Sequence, residues 1–230
     1  MLGFYDYTVW LTYASLVSAG AGILFSLQGN GHPYVGIFFL MISGLCDAFD
    51  GRVARSKKDR TEMEKKFGVQ IDSLADLVAF GVLPICVGSA MLRVYETIPS
   101  VASKLRINCN GLILNILTIA IMLFFLLAAL IRLAYFNVTE EERQKKESGG
   151  RKYYEGLPVT SSAIIFPLIL TIQYIQPADI TPLYFLGLLL VGIAFISKFK
   201  VPKPGLREIL IMIGIGALDF LILLFFMVLK

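Results

Sequence analysis

The amino-acid sequence predicts an all-α polytopic membrane protein, with one domain that occupies residues 1–230. Of the 230 residues, 57% are hydrophobic and 17% are charged, whereas soluble domains carry about 25% charged residues. The mean hydropathy is +0.74. A water-soluble globule has too little interior for this much apolar side chain, because its surface must remain wetted. The composition therefore excludes a soluble domain, a disordered tail and a nucleic-acid-binding protein.

Seven stretches are apolar enough to form transmembrane helices, which need about 20 residues to cross a bilayer. Segments rich in Gly and Pro separate several of them, such as Gly29-Asn30-Gly31 and Pro202-Lys203-Pro204-Gly205. Backbone polar groups must be satisfied within the chain in lipid, so we expect each stretch to be helical. The predicted spans are 8–28, 33–55, 68–92, 111–137, 157–176, 180–197 and 207–229.

Lys and Arg residues are unequally distributed between alternate loops. The loops at 56–67, 138–156 and 198–207 contain five, five and four of them. The loops between contain three, all in segment 93–110. The positive-inside rule therefore predicts a multi-pass protein of the cell membrane, with the basic loops and the N-terminus in the cytoplasm. Segment 93–110 is also compatible with an amphipathic helix at the membrane surface, so the orientation is better determined than the number of spans.

Four aspartates lie in the second and third predicted spans, where an ionised carboxylate is costly. Asp47 and Asp50 are three residues apart, and Asp72 and Asp76 are four apart. At these spacings each pair occupies one helix face. Both pairs fall within about two turns of loop 56–67, so antiparallel neighbouring helices would hold them at similar depth. We expect the four carboxylates to face each other and to form one site.

Carboxylates this close would repel each other unless cations bind between them. Sites built from carboxylate oxygens favour Mg²⁺, Mn²⁺ or Ca²⁺ over zinc, which prefers His and Cys ligands. Two such ions often act together in displacement at phosphorus. Gly51, Ala54 and Gly68 leave room for a bulky phosphorylated ligand, although small residues in membrane helices also serve helix packing. Arg55 is placed to hold a phosphate oxygen or to pair with the acids.

This arrangement resembles the signature of the CDP-alcohol phosphotransferase family. The matching residues are Asp47-x-x-Asp50-Gly51-x-x-Ala54-Arg55 and, after twelve further residues, Gly68-x-x-x-Asp72-x-x-x-Asp76. The resemblance implies a six-helix membrane bundle over residues 8–197, with the span at 207–229 as an additional seventh helix. It also implies CDP-diacylglycerol as a substrate, contact with membrane lipids, a site that faces the cytoplasm, and a homodimer.

The same resemblance assigns roles to individual residues. It implies that Asp47, Asp50, Asp72 and Asp76 bind two divalent cations, Mg²⁺ or Mn²⁺, and that Asp76 is also the general base. It places Gly51, Ala54, Arg55 and Gly68 around the CDP moiety. Many members carry a Pro-Asn...Thr motif at the start of the first span, of which this chain keeps Thr12 at a comparable position. Thr12 is therefore a candidate CDP-binding residue.

Two segments bear on the acceptor alcohol. The end of span four, AALIRLAYFNV, and the start of span five, YYEGLPVTSSA, resemble stretches of family members that use L-serine. Arg132 is placed to hold a serine carboxylate or to neutralise part of the acidic site. Asn137, Thr160 and Ser161 offer short polar groups near the same face. Glycerol 3-phosphate and inositol phosphate stay alternative acceptors, because the basic loop 138–156 offers cations for a second phosphate.

Two functions of other classes are compatible with buried acids. A cation transporter would use the aspartates as its ion site, but transporters often show inverted repeats and helices broken at mid-membrane, and this sequence shows neither. A non-catalytic membrane scaffold would not depend on Asp76 for its cellular function. Asp219 lies in the middle of the last span and outside the signature, and we expect it to make a packing or dimer-contact hydrogen bond.

Overall fold

The computed structural model describes residues 3–29, 31–96, 111–146, 153–175, 179–202 and 205–229. In chain order the elements are α1 (Trp10–Leu27), α2 (Pro33–Ser56), α3 (Glu62–Asp76), a π-helical turn (Leu77–Val82), α4 (Leu83–Glu96), α5 (Gly111–Lys146), β1 (Tyr153–Glu155), a 3₁₀ turn (Val159–Ser161), α6 (Ser162–Ile175), α7 (Thr181–Ile196), β2 (Lys200–Pro202) and α8 (Leu206–Leu229). Apart from one short antiparallel strand pair, the described fold is helical, as predicted.

Each predicted span coincides with an apolar helix. Two of these helices, at Val159–Ile172 and Thr181–Ile196, are shorter than a full span. Five are long and apolar enough to cross a membrane: Trp10–Leu27, Pro33–Ser56, Glu62–Val94, Gly111–Arg143 and Arg207–Phe225. The prediction of a multi-pass membrane protein is confirmed. The alternative interpretation of segment 93–110 falls largely outside the described residues.

The third helix begins earlier than the predicted start at residue 68. It starts at Glu62 because Thr61 and Glu64 form a capping box. The Thr61 hydroxyl accepts from the Glu64 N–H at 3.2 Å, and the Glu64 carboxylate accepts from the Thr61 N–H at 2.6 Å. The loop before α3 is therefore shorter than predicted, and its end is rigidly defined.

Two other helix boundaries also differ from the prediction. α5 continues to Lys146, so residues 138–146 of the predicted basic loop are helical, with Arg143 paired to Glu140. α6 starts only at Ser162, after the 3₁₀ turn, rather than at residue 157. The predicted span at 157–176 is thus shorter as a regular α-helix than its apolar pattern suggested.

Small and hydroxylated side chains hold α1 against α2. Ser43 Oγ donates to the Ser15 carbonyl at 3.0 Å, and Ser15 Oγ donates to the Ser43 carbonyl at 3.3 Å. A Cβ atom at Gly22 would lie 2.8 Å from the Cβ of Phe39, so only glycine permits this approach. Membrane helices gain little hydrophobic energy by associating, and close packing with interhelical hydrogen bonds stabilises them instead. The crossing aligns the start of α1 with the end of α2.

The π-helical turn separates α3 from α4. Pro84 lies two residues after the end of the turn and lacks the N–H that a regular helix would use to bond residue 80. The carbonyl of Pro84 accepts a hydrogen bond from the Tyr184 hydroxyl at 2.8 Å, which joins α4 to α7. This bond fixes the start of α4 against α7.

Buried aromatic rings join α5, α6 and α7. Phe125 meets Phe166 edge-on at a centroid distance of 5.6 Å and meets Phe195 at 5.4 Å. Phe166 in turn lies 5.0 Å from Tyr184. All four rings are almost fully buried. This cluster forms the centre of the second half of the bundle.

The last helix, α8, packs against α2 and α6. Phe220 meets Phe38 of α2 edge-on at 4.9 Å. Asp219 is buried and accepts a hydrogen bond from the hydroxyl of Thr171 on α6. The predicted packing hydrogen bond of Asp219 is therefore confirmed, and its partner is Thr171. This polar contact holds α8, which the sequence predicts as an additional helix, against α6.

Candidate active site

The end of α2 and the facing side of α3 bring the predicted aspartates together. Oxygen atoms of Asp47, Asp50 and Asp72, one from each carboxylate, all lie within 4.8 Å of one another. The carboxyl groups of Asp76 and Asp47 are in hydrogen-bonding contact, and so are those of Asp72 and Asp50. The i,i+3 pair of one helix therefore faces the i,i+4 pair of its neighbour.

The cluster is partly buried and is backed by α1. Asp50 is 8% exposed, and the other three aspartates are half-buried. Thr12 is itself buried, and its hydroxyl donates to Asp50 Oδ2 at 3.2 Å. The structure therefore places Thr12 beside the predicted site, where it orients an aspartate. Whether Thr12 also contacts a nucleotide stays a prediction.

Gly51 and Arg55 lie next to the acids on α2. The guanidinium of Arg55 covers Gly51 so closely that a Cβ atom there would be 3.1 Å from Nη1. Both residues line a cavity together with Asp47 and Asp50. The arrangement puts a cation at the rim of an acidic site, which is the environment that a phosphate group requires.

Arg60 lies beside Ala54 and Gly68, the other two residues predicted to contact the nucleotide. Its guanidinium donates to the carbonyl of Ala54 at 3.3 Å and to that of Glu64 at 3.1 Å. A Cβ atom at Gly68 would lie only 2.6 Å from Arg60 Nη2. Gly68 thus makes room for this arginine, which ties the end of α2 to the start of α3. This role of Arg60 was not predicted, because in the sequence the residue is only one of several positive charges in its loop.

An ion-pair clasp formed by Lys57, Asp6 and Glu64 joins the start of the chain to the α2–α3 connection. Lys57 Nζ lies 2.7 Å from Asp6 Oδ2 and 2.9 Å from Glu64 Oε1. The hydrogen bond from Lys57, together with those from the hydroxyl and N–H of Thr8, lowers the pKa of Asp6 below its usual value. The clasp fastens the segment before α1 to the loop beside the aspartates.

Two of the four residues predicted to bind the acceptor are linked to the acidic site. Thr160 lines the same cavity as Asp47 and Asp50. The side-chain amide of Asn137 donates to the hydroxyl of Ser73 at 2.7 Å, and Ser73 lies on α3 between two of the aspartates. Asn137 and Thr160 are therefore each linked to the acidic site.

The other two predicted acceptor residues make local contacts. Arg132 is buried, and its Nε donates to the carbonyl of Leu157 at 3.0 Å. The guanidinium of Arg132 also lies 5.7 Å from the ring centroid of Phe136. Ser161 Oγ donates to the carbonyl of Pro158 at 2.6 Å, within its own turn. These contacts shape the segment that leads to Thr160.

The cavity beside the aspartates has a volume of about 600 Å³, within the usual range for sites of small-molecule ligands. Its polar end is formed by α2 residues and by Thr160, and its walls are apolar side chains of α2, α6 and α8. A ligand with a charged head and a hydrocarbon body matches this division.

The donor set of the cluster fits hard divalent cations. Its ligand atoms are carboxylate oxygens, which Mg²⁺ and Mn²⁺ prefer. Like charges at these separations, held away from bulk water, are unfavourable without a cation. The geometry is therefore that of a site able to hold a divalent metal ion.

Comparison with known proteins identifies the class. Residues 8–197 match the family described as CDP-alcohol phosphatidyltransferase. The chain belongs to this family, and it is a membrane-embedded transferase of phospholipid biosynthesis. The match ends before α8, as expected from the sequence.

Particular relatives point to one branch of the family. The chain is 32% identical over 217 residues to the CDP-diacylglycerol–serine O-phosphatidyltransferase of Saccharomyces cerevisiae, with 86% of this chain and 70% of the relative covered. It is 27% identical to the Helicobacter pylori (strain J99) protein of the same name, over 79% and 67% of the two chains. It is 30% identical to the archaetidylserine synthase of Methanothermobacter thermautotrophicus, over 65% and 52%.

Proposed function

We propose that this protein transfers the phosphatidyl group of CDP-diacylglycerol to the hydroxyl of L-serine, giving phosphatidylserine and CMP. The observation that carries the proposal is the cluster of Asp47, Asp50, Asp72 and Asp76 beside an amphipathic cavity. The names of the relatives, which concern serine, support the choice of acceptor.

Asp47, Asp50 and Asp72 are the proposed metal ligands, and Asp76 joins them through its contact with Asp47. Two divalent cations bound there, Mg²⁺ or Mn²⁺, would supply positive charge that stabilises the negative charge developing on the departing CMP. Thr12 holds Asp50 in place through its hydrogen bond. Asp76 takes the proton of the serine hydroxyl as that oxygen attacks the lipid-linked phosphorus.

The nucleotide lies against the end of α2 in this proposal. Arg55 binds a phosphate oxygen at the rim of the cavity, and Gly51 lets the ligand approach the helix backbone. Ala54 and Gly68 are the other proposed neighbours of the CDP moiety, and Arg60, which lies against Gly68 and bonds the carbonyls of Ala54 and Glu64, joins α2 to α3 beside them. Burial of Asp50 limits the access of bulk water to that part of the site.

Serine binds between α3, α5 and the turn before α6. Thr160 and Asn137 are the best supported contacts, since one lines the cavity and the other bonds a neighbour of the aspartates. Arg132 pairs with the serine carboxylate in this proposal, and the bond from its Nε to the carbonyl of Leu157 positions the guanidinium. The oxygen of Ser161 keeps lone pairs free to accept from the serine ammonium while its proton bonds Pro158.

The site faces the cytoplasm of the cell membrane in this proposal, because the basic loops lie at the same end of the bundle as the aspartates. A homodimer follows from the family resemblance alone and stays a prediction. Chemical crosslinking in native membranes, followed by size analysis, tests the homodimer directly.

The decisive experiment is an acceptor panel with the purified protein in lipid nanodiscs. CDP-dioleoylglycerol and Mg²⁺ or Mn²⁺ are supplied with serine, glycerol 3-phosphate or inositol phosphate, and CMP and the lipid product are measured by mass spectrometry. We expect CMP release and phosphatidylserine with serine only. CMP release with glycerol 3-phosphate but not with serine would show that glycerol 3-phosphate is the acceptor. Metal-ion flux through liposomes without CMP release would indicate a cation transporter and would overturn the proposed reaction.

A further inference from the structure

The C-terminal helix α8 forms one wall of the cavity that begins at the aspartates. Its contributing residues include Ile209, Met212, Ile213, Gly216 and Phe220. Ile209, Ile213, Gly216 and Phe220 recur at intervals of three or four residues, and Met212 is adjacent to Ile213, so all five lie on one side of the helix. This face extends about 16 Å along the helix axis at 1.5 Å per residue. α8 lies outside the segment that matches the family, so nothing in the family match explains this wall.

The rotation of α8 is fixed by its neighbours. Asp219 is buried and accepts from the Thr171 hydroxyl, and Phe220 meets Phe38 edge-on. A buried carboxylate in a membrane helix keeps its partner, because the alternative is an unsatisfied polar group in hydrocarbon. The face that carries Gly216 is therefore held toward the cavity.

The centre of this wall has open space. A Cβ atom added at Gly216 would meet no other heavy atom within 4 Å, and Gly216 is half-buried along the cavity. Ala217, also small, follows it in the same lining. The cavity runs without a break from Asp47 and Asp50 to these two residues. An occupant must therefore have its polar group at the aspartates and its apolar part beside α8.

We propose that α8 holds one acyl chain of the CDP-diacylglycerol substrate, and that Gly216 and Ala217 determine which chains fit. The inference rests on the proposed function and names the part of the same substrate that this helix recognises. A lipid tail gains little by leaving other lipid tails for this groove, so selection depends on shape rather than on hydrophobic transfer. Enlarging Gly216 should therefore exclude long chains by steric overlap.

The test compares Gly216→Leu with Gly214→Leu. Both positions lie on α8 and both have open space around an added Cβ atom, but Gly214 is exposed and is not part of the cavity lining. Both substitutions change helix propensity equally. The kcat/KM for CMP release is measured with CDP-dioctanoylglycerol and CDP-dioleoylglycerol, at saturating serine and Mg²⁺, in the same detergent.

We expect Gly216→Leu to lower kcat/KM for the dioleoyl substrate about tenfold, within the range that apolar pockets achieve for size differences. For the dioctanoyl substrate, Gly216→Leu should lower kcat/KM by less than about threefold. Gly214→Leu should leave kcat/KM unchanged for both substrates. Equal effects of Gly216→Leu on both chains, or no effect on either, overturns the proposal. If Gly216→Leu does not fold, Ala217→Leu tests the same wall with the same expectations. Failure of the proposed function is distinguishable, since the unmodified protein would then release no CMP with serine from either lipid.

Discussion

One arginine and a cluster of aspartates in this membrane protein are arranged in opposite ways. Near the end of α4, Arg93 donates to the carbonyls of Ser26 and Leu27 at 2.5 and 2.9 Å, where α1 ends without an intrahelical partner for them. At the opposite end of α1 and α2, oxygen atoms of Asp47, Asp50 and Asp72 lie within 4.8 Å of one another, and the carboxyl group of Asp76 contacts that of Asp47. The charge of Arg93 is satisfied by the folded chain, whereas the acid cluster requires something that the chain does not supply. The first arrangement stabilises the fold, and the second is built to bind.

The comparison is tested most strongly by removing one charge from the acid cluster. Asp76→Asn should lower CMP release about 10²- to 10⁴-fold, the usual contribution of a general base. The thermal unfolding temperature should not fall, because the substitution removes a repulsive charge. Activity and unfolding are measured on the same purified sample.

Asp219→Asn is the matched control, since it also neutralises a buried carboxylate in a membrane helix. Its amide oxygen still accepts from Thr171, so activity should stay within about threefold of the unmodified protein, as expected for a residue outside the reaction. Equal losses in Asp219→Asn and Asp76→Asn would contradict the special position of the cluster.

Stabilisation by a metal ion should depend on the acid cluster and not on Arg93. Mg²⁺ at 100 times its dissociation constant should stabilise the unmodified protein by about 2.7 kcal/mol. Asp50→Asn should lose most of this gain, while Arg93→Lys should keep it. Thermal unfolding is followed with and without EDTA. A gain from Mg²⁺ that survives in Asp50→Asn would place the metal elsewhere.

Arg93→Met should show the reverse pattern. Loss of hydrogen bonds from a charged donor to the carbonyls of Ser26 and Leu27 should lower the free energy of unfolding by about 2 kcal/mol. CMP release per folded molecule should be unchanged, because Arg93 lies far along the bundle from the aspartates. Undiminished stability would show that the carbonyls find other partners.

The smallest expected effect concerns the clasp at Asp6. Lys57 and Thr8 lower the pKa of Asp6, so the stabilisation is present above the unfolded-state value and is lost as the pH falls through the lower folded-state value. The unfolding temperature of the unmodified protein should therefore decline more steeply below about pH 4 than that of Asp6→Asn. The difference should be small because the pair is partly solvated. If the unfolding temperatures of the two proteins decline equally at low pH, the clasp has no role in stability.

The sequence was sufficient for features that depend on helical periodicity. Asp47 and Asp50, and likewise Asp72 and Asp76, share a face in any helix of regular geometry, and the basic loops indicated which ends lie together. Their convergence could therefore be predicted from residue spacing and loop charge alone. Span positions followed from the same periodicity and from the length that a bilayer requires.

Features that depend on tertiary contacts were not predictable in this way. Arg132 bonds the carbonyl of Leu157, 25 residues away along the chain, and neither composition nor spacing indicates that partner. Arg60 was missed because its role comes from two carbonyl groups and from the space at Gly68. The earlier start of α3 had a local signal, since Thr61 followed by Glu64 is the pattern of a capping box. Only that last feature was available from the sequence and overlooked.

The π-helical turn at Leu77–Val82 sets the phase between the two halves of the long helix. One residue corresponds to about 100° of rotation in an α-helix, so a wide turn changes the direction of every side chain beyond it. Deleting Val78 would convert the turn toward regular geometry and swing Asp72 and Asp76 away from α2 while Pro84 stays docked on Tyr184. The turn therefore determines whether the half of the helix that carries the aspartates and the half that docks on Tyr184 point in compatible directions.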